Sequence, residues 1–252
     1  MVLTCLNGPA AVAPTPGAAT ANAAVPAPYT ANYERPVSLK MMFCNVVSDQ
    51  KHIWLFPQRL ARGQDLIPTA LTVGATAGLI AIDPREGRYF RQTNSFYRFN
   101  QIFGSSNTLL GTLVVPLTMY GAGLLRHDSK MKKTALLAGE AIANTELLVG
   151  ATKDIDRRLR PNDVAYNGNY ANTWFKDPHG GSFPSGHSAA AFAVATVLAR
   201  RYGNHKWVPY VAYGLAATVG FSRMTLSSHF ASDVFMGGVL GYSVGRFTVL
   251  RQ

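Results

Sequence analysis

Residues 99–125, FNQIFGSSNTLLGTLVVPLTMYGAGLL, run without a single charge and are rich in Leu, Val, Gly and Thr. A bilayer core needs about 20 consecutive apolar residues, so this segment is long enough to cross one and is the strongest transmembrane candidate in the chain. Five other stretches share its Ala, Leu, Val and Gly-rich character, which predicts helices over about 66–82, 104–125, 134–152, 185–201, 207–221 and 231–248. The third carries Glu140, Asn144 and Glu146 in an apolar frame. Such groups are costly against lipid, so that face is expected to meet protein. The last three helices are short for lone spans, and a soluble bundle with small-residue interfaces is the alternative. The expected fold class is all-α: a membrane-embedded bundle of about six core helices, with a disordered N-terminal tail.

Residues 1–36 are rich in Ala, Pro, Thr and Asn and almost uncharged, the composition of a disordered tail, in which Cys5 reads as a free cysteine. Residues 37–65 read as a linker and amphipathic interfacial segment, since Ile53, Trp54, Leu55 and Phe56 are mixed with Lys51, His52, Arg59 and Arg62. Residues 66–252 form the helical domain. Of the 252 residues 48% are apolar and 15% charged, well under the quarter or so typical of soluble domains. Lys and Arg number 24 against 13 Asp and Glu, a net +11 that suits phosphorylated substrates or anionic lipid. Nucleic acid is excluded as the expected partner, because no nucleic-acid module is present and the basic residues surround apolar helices rather than forming a stripe. The only two cysteines, Cys5 and Cys44, make neither a disulfide scaffold nor a metal site.

Arg126, Lys130, Lys132 and Lys133 lie between the second and third predicted helices, and Arg200, Arg201 and Lys206 between the fourth and fifth. Both loops share one side, which the positive-inside tendency makes cytoplasmic. The turns after helices one, three and five then face outward. Arg85, Arg88, Arg91 and Arg98, expected in the loop after helix one, make the asymmetry imperfect.

Those outward turns hold three motifs. Lys153-Asp-Ile-Asp-Arg-Arg-Leu-Arg160-Pro161 ends the third helix. Lys153 and Arg160 are two helical turns apart and are expected on one side, a point charge and a planar fork for phosphate oxygens, with Pro161 stopping the helix. Gly180-Gly-Ser-Phe-Pro184-Ser185-Gly186-His187 opens the fourth helix. Pro184 begins a helix well, the amides of Ser185 and Gly186 would sit at a positive N-terminus, and Gly186 would let an oxyanion approach while His187 faces it. Ser222-Arg223-Met-Thr-Leu-Ser-Ser-His229-Phe-Ala-Ser-Asp233 enters the sixth helix. His229 and Asp233, four apart, are expected on one helical face, the carboxylate holding one ring N–H and leaving the other nitrogen to attack.

Together these patterns, Lys-six-residues-Arg-Pro, Pro-Ser-Gly-His and Ser-Arg-five-residues-His-three-residues-Asp, resemble the type 2 phosphatidic acid phosphatase family, which is related to bacterial acid phosphatases and vanadium haloperoxidases. The match covers about residues 153–233 with no departure at a key position. The resemblance implies a phosphoric ester hydrolase without metal or other cofactor, working through a phosphohistidine on His229. Asp233 would orient that histidine, His187 would act as acid and base, and Lys153, Arg160, Ser185, Gly186 and Arg223 would bind phosphate. The expected substrate is a phosphorylated lipid of the phosphatidate or polyprenyl pyrophosphate type. The expected location is a bacterial inner membrane with an outward, periplasmic site. The alternatives are a soluble periplasmic acid phosphatase acting on small phosphomonoesters, a vanadium haloperoxidase, and a non-catalytic lipid-binding protein. The long loop 162–183 carries Tyr166, Tyr170, Trp174 and Phe175, expected either at a membrane interface or packed down on the site. His179, also in this loop, reads as a surface residue.

Overall fold

The computed structural model describes residues 36–178 and 181–251. The expected tail with Cys5, together with His179 and Gly180, lies outside the described residues. The described chain is helical: α1 (Met42–Trp54), α2 (Phe56–Ala61), α3 (Leu66–Gln92), α4 (Tyr97–Ile102), α5 (Ser105–Leu125), α6 (Ser129–Asp156), α7 (Gly186–Arg201), α8 (Trp207–Thr225) and α9 (Ala231–Ser243), which runs into a π-helical turn, Val244–Val249.

α7 is the hub, packed against α6, α8 and α9. Its sequence explains this. Ala189, Ala190, Ala191, Ala193 and Ala195 are all buried, and the facing side of α9 offers Gly237, Gly238 and Gly241. Small residues on both helices let the backbones approach closely, the usual device where lipid removes the hydrophobic drive for helix association. Leu137, Ala138 and Ala141 of α6 close the main core against Val194 and Val197 of α7 and Val244 and Val249 beyond α9.

Several boundaries differ from the sequence reading. The first core helix continues through Pro84 to Gln92, so Arg85, Arg88 and Arg91 lie on α3 rather than in a loop. Tertiary contacts hold it there: Asp83 Oδ1 accepts from Ser232 N at 3.1 Å, and Gly87 lies against the Phe230 ring. α6 starts at Ser129 because Asp128 caps it, accepting from Met131 N at 3.0 Å, so Lys130, Lys132 and Lys133 lie on its first two turns. It ends at Asp156, where Arg157 turns left-handed at φ 43°. The segment expected to be a linker with an interfacial stretch is helical from Met42 and docks on α6. There Asn45 Nδ2 donates to Glu140 Oε1 at 2.7 Å and Asn144 Nδ2 to Asp49 Oδ2 at 3.0 Å, so the polar face of α6 does meet protein at Glu140 and Asn144.

α3 and α5 have the length and apolar composition of membrane spans, and only 11% and 24% of their apolar windows are buried. Ile67, Leu71, Leu117 and Leu125 stand exposed on them, apolar surface that water does not favour and lipid does. At the basic end of the bundle, Lys130 Nζ lies 4.8 Å over the Tyr202 ring and Arg201 Nε donates to Thr134 Oγ1 at 3.2 Å. The two Lys/Arg-rich junctions therefore share one end, and the three motifs occupy the other.

Candidate active site

The loop after α6 is zipped to its surroundings by backbone hydrogen bonds. Gly181 N donates to Lys153 O at 3.1 Å, Ser182 N to Arg158 O at 2.6 Å, and Asn162 N to Ser227 O at 2.9 Å. These bonds bring the three motifs, far apart in sequence, to one end of the bundle. Lys153 occupies the last turn of α6, but Arg160 lies beyond the helix end, so the two cations are not aligned by helical turns as the spacing suggested. The left-handed Arg157 reverses the chain instead, and Lys153 and Arg160 both still act on the charge of His229.

α7 begins at Gly186 with Ser185 as its cap, its Oγ accepting from Ser188 N at 3.4 Å and from Ser188 Oγ at 3.0 Å. Pro184 therefore precedes the cap rather than opening the helix. The Ser185 N–H is committed to Asp233 O at 2.9 Å, which removes it from the expected pair of oxyanion amides and ties motif two to motif three. Gly186 is a close-approach position: a Cβ there would lie 3.2 Å from Glu146 Oε2, so the glycine leaves room for a carboxylate from α6. His187 is half-buried on the first turn of α7.

His229 precedes α9, whose first residue is Ala231, so it and Asp233 do not share a helical face. They meet because Asp233 turns back over the helix start, its Oδ2 accepting from Phe230 N at 2.9 Å. The His229 ring is buried, with Nδ1 3.6 Å from Asp233 Oδ2, beyond hydrogen-bond range. Ser182 fills the gap. Its hydroxyl donates to Asp233 Oδ2 at 2.6 Å and its oxygen stands 3.2 Å from His229 Nδ1. With the hydroxyl proton spent on the carboxylate, the Ser182 oxygen accepts from Nδ1–H, and that tautomer leaves Nε2 unprotonated. Sequence reasoning missed Ser182 as a partner of His229.

Burial pushes the pKa of His229 below its usual value of 6.5; Asp233 opposes that shift, and Lys153 and Arg160 reinforce it. The ring is therefore neutral, as a nucleophile must be, further into the acid range than a free histidine. If His229 attacks, the acidic limb of kcat/KM belonging to its ionisation falls below pH 6.5. A pH–rate series on purified protein measures it, and a His229 limb at or above that value contradicts the assignment.

Arg223 is fully buried; its Nη2 donates to Phe103 O at 2.7 Å and to Ser222 Oγ at 2.8 Å, linking α8 to the α4–α5 junction. Of the loop aromatics, Tyr170 packs with Phe230 and Trp174 with Phe183, whereas Tyr166 and Phe175 are exposed. Tyr170 and Trp174 thus pack the loop down, one of the two arrangements expected for it. Three further charged groups at the site, Asp83, Glu86 and Arg158, were not singled out from sequence. Asp83 and Glu86 carried a readable signal, since carboxylates within an apolar span require partners.

A buried histidine backed by a hydroxyl and a carboxylate, with two cations acting on it, at one end of an all-helical bundle, defines a class. Residues 134–252, which contain all three motifs, match the model of the PAP2 superfamily. A lipid A 1-phosphatase of Porphyromonas gingivalis is 33% identical over 134 residues, 53% of this chain and 27% of the relative. The chain thus spans little more than a quarter of that relative's length. A solved transmembrane PAP2-type phosphatidylglycerolphosphate phosphatase from Bacillus subtilis is 21% identical, with a TM-score of 0.41 over 82% of this chain and 92% of that one, a superposition too loose to carry an argument.

Proposed function

We propose that this chain is a membrane phosphatase that removes phosphate from a phosphorylated lipid through a phosphohistidine on His229. The observation that carries the reading is the buried His229 ring, its Nδ1 backed by Ser182 and Asp233. Nε2 attacks phosphorus, the P–N bond forming as the P–O ester bond breaks. His187 gives its proton to the departing alkoxide. Neutral His187 then takes a proton from water, whose oxygen attacks phosphorus and breaks the P–N bond, returning free His229 and inorganic phosphate. Lys153 and Arg160 stabilise the charge on the phosphoryl oxygens as it grows, together with Arg223, the Ser185 hydroxyl and the Gly186 amide. Arg223 must exchange its bond to Phe103 O for the substrate. The apolar exposed faces of α3 and α5 support a bilayer setting, and the basic end opposite the site supports an outward-facing one.

The test is phosphate release from mixed micelles of phosphatidate, phosphatidylglycerol phosphate, undecaprenyl pyrophosphate or lipid A, against a small aryl phosphate. Turnover of one lipid at least about tenfold above the aryl ester, in kcat/KM, is the expected result. Faster cleavage of the aryl ester by detergent-free soluble protein would favour a soluble acid phosphatase instead.

A further inference from the structure

Behind Asp233 lies a second buried carboxylate, and one guanidinium bridges the two. Arg158 Nη1 donates to Asp233 Oδ1 at 2.6 Å and Nη2 to Asp83 Oδ2 at 2.7 Å. The guanidinium carbon sits 4.4 Å from the Trp174 ring centroid and 4.2 Å from that of Phe230, while Nε donates to Thr173 Oγ1 at 3.3 Å. Ser232 closes the cluster, its Oγ accepting from Arg158 Nη1 at 2.7 Å and donating to Asp83 Oδ2 at 2.5 Å. Arg158, Asp83, Ser232 and Asp233 are all essentially inaccessible to water. Their mutual attraction is therefore poorly screened, and removing one member leaves an uncompensated charge.

We infer that Arg158 and Asp83 are positioning residues that set how strongly Asp233 acts on the ring of His229. The inference rests on His229 being the nucleophile. Arg158 is shared between two carboxylates, so it holds Asp233 in place while neutralising it only in part. The remaining negative charge favours the Nδ1–H tautomer and the imidazolium-like charge that develops as Nε2 bonds to phosphorus. Asp83 belongs to α3, so the docking of that helix on α9 becomes a condition of catalysis. Of the two carboxylates that Arg158 bridges, Asp233 is the one whose Oδ2 backs the ring of His229.

Two variants pull this arrangement in opposite directions. In Asp83→Asn, Arg158 is left to Asp233 alone, which weakens the pull of Asp233 on the histidine and moves the acidic limb of the pH–kcat profile down. In Arg158→Gln, Asp233 is uncompensated and the limb moves up. The other charged groups facing His229 or Asp233 are Lys153 and Asp156 of α6, Arg160 in the loop and Glu86 of α3, and they are the same in both variants. The experiment is a pH series of kcat and KM on the full chain in detergent micelles for wild type, Asp83→Asn, Arg158→Gln and His229→Ala. The expected result is a fall in kcat of at least about tenfold with KM nearly unchanged. The limbs are expected to shift in opposite senses by on the order of one pH unit. If Arg158→Gln does not fold, Arg158→Lys replaces it; a point charge spans one carboxylate poorly while serving the other, and kcat should fall with KM retained. An Asp83→Asn enzyme with wild-type kcat and limb, or limbs that shift the same way, overturns the inference. Substantial activity in His229→Ala overturns the nucleophile assignment itself, which keeps the two failures apart.

Discussion

His229→Ala is expected to lose turnover by on the order of 10⁴-fold or more while the protein stays folded, because removal of a nucleophile removes the only route through a covalent intermediate. The His229 backbone N–H donates to Arg223 O at 3.2 Å, and the ring's Nδ1 faces Ser182 and Asp233, which keep their hydrogen bond to each other when the ring is removed, so truncation disturbs little besides the chemistry. A buried imidazole replaced by a methyl group leaves a small cavity, costing about 1–3 kcal/mol. The measurement is phosphate release from the best lipid substrate, alongside thermal unfolding in the same detergent. Rapid alkaline quenching with radiolabelled substrate adds a direct readout: wild type should retain label on the protein and His229→Ala should not. Activity within about a hundredfold of wild type would exclude His229 as the nucleophile.

The second large effect is on stability. Gly241 of α9 faces α7 so closely that a Cβ would press on the Ala189 carbonyl oxygen and lie 2.9 Å from both Ala189 C and Ala193 N. These are backbone atoms of a buried helix and cannot rotate away as a side chain can. Gly241→Ala should therefore force α9 off α7 and cost about 2–4 kcal/mol, lowering the unfolding midpoint clearly. Gly214 of α8 is the control, since nothing lies within 4 Å of its added Cβ. Gly214→Ala should be neutral or stabilising by up to about 1 kcal/mol, because it removes only the helix penalty of glycine. Unfolding of both variants by heat in detergent separates close packing from helix propensity, and equal midpoints would show that α7 and α9 tolerate separation. The activity of Gly241→Ala should fall as well, because Asp233 sits at the start of the same helix and its carbonyl holds Ser185 N.

The six core helices were legible in the sequence because each is a long apolar stretch bounded by charges or glycines; five start within one residue of the expected position and α6 starts five residues early, where Asp128 caps it. Ends were less legible where long-range contacts override local signals. Pro84 should break a helix, yet α3 passes through it because Asp83 and Gly87 are held by α9. Conversely, α6 stops before Pro161 because Arg157 turns left-handed and the loop bonds back onto Arg158 and Lys153.

The residue types needed for phosphate chemistry are written in three short motifs, and their spacing is local enough to read: a cation pair, a serine–glycine helix start, a histidine near a carboxylate. Geometry between motifs is not local. That Ser182 stands between His229 and Asp233, that the Ser185 amide is consumed by Asp233, and that Asp83 reaches Asp233 through Arg158 all depend on contacts across 47 to 75 positions of chain. Such contacts follow from how closely α7 and α9 approach and from where α3 docks. Close packing sets them only once the whole bundle has formed, so no window of sequence contains them.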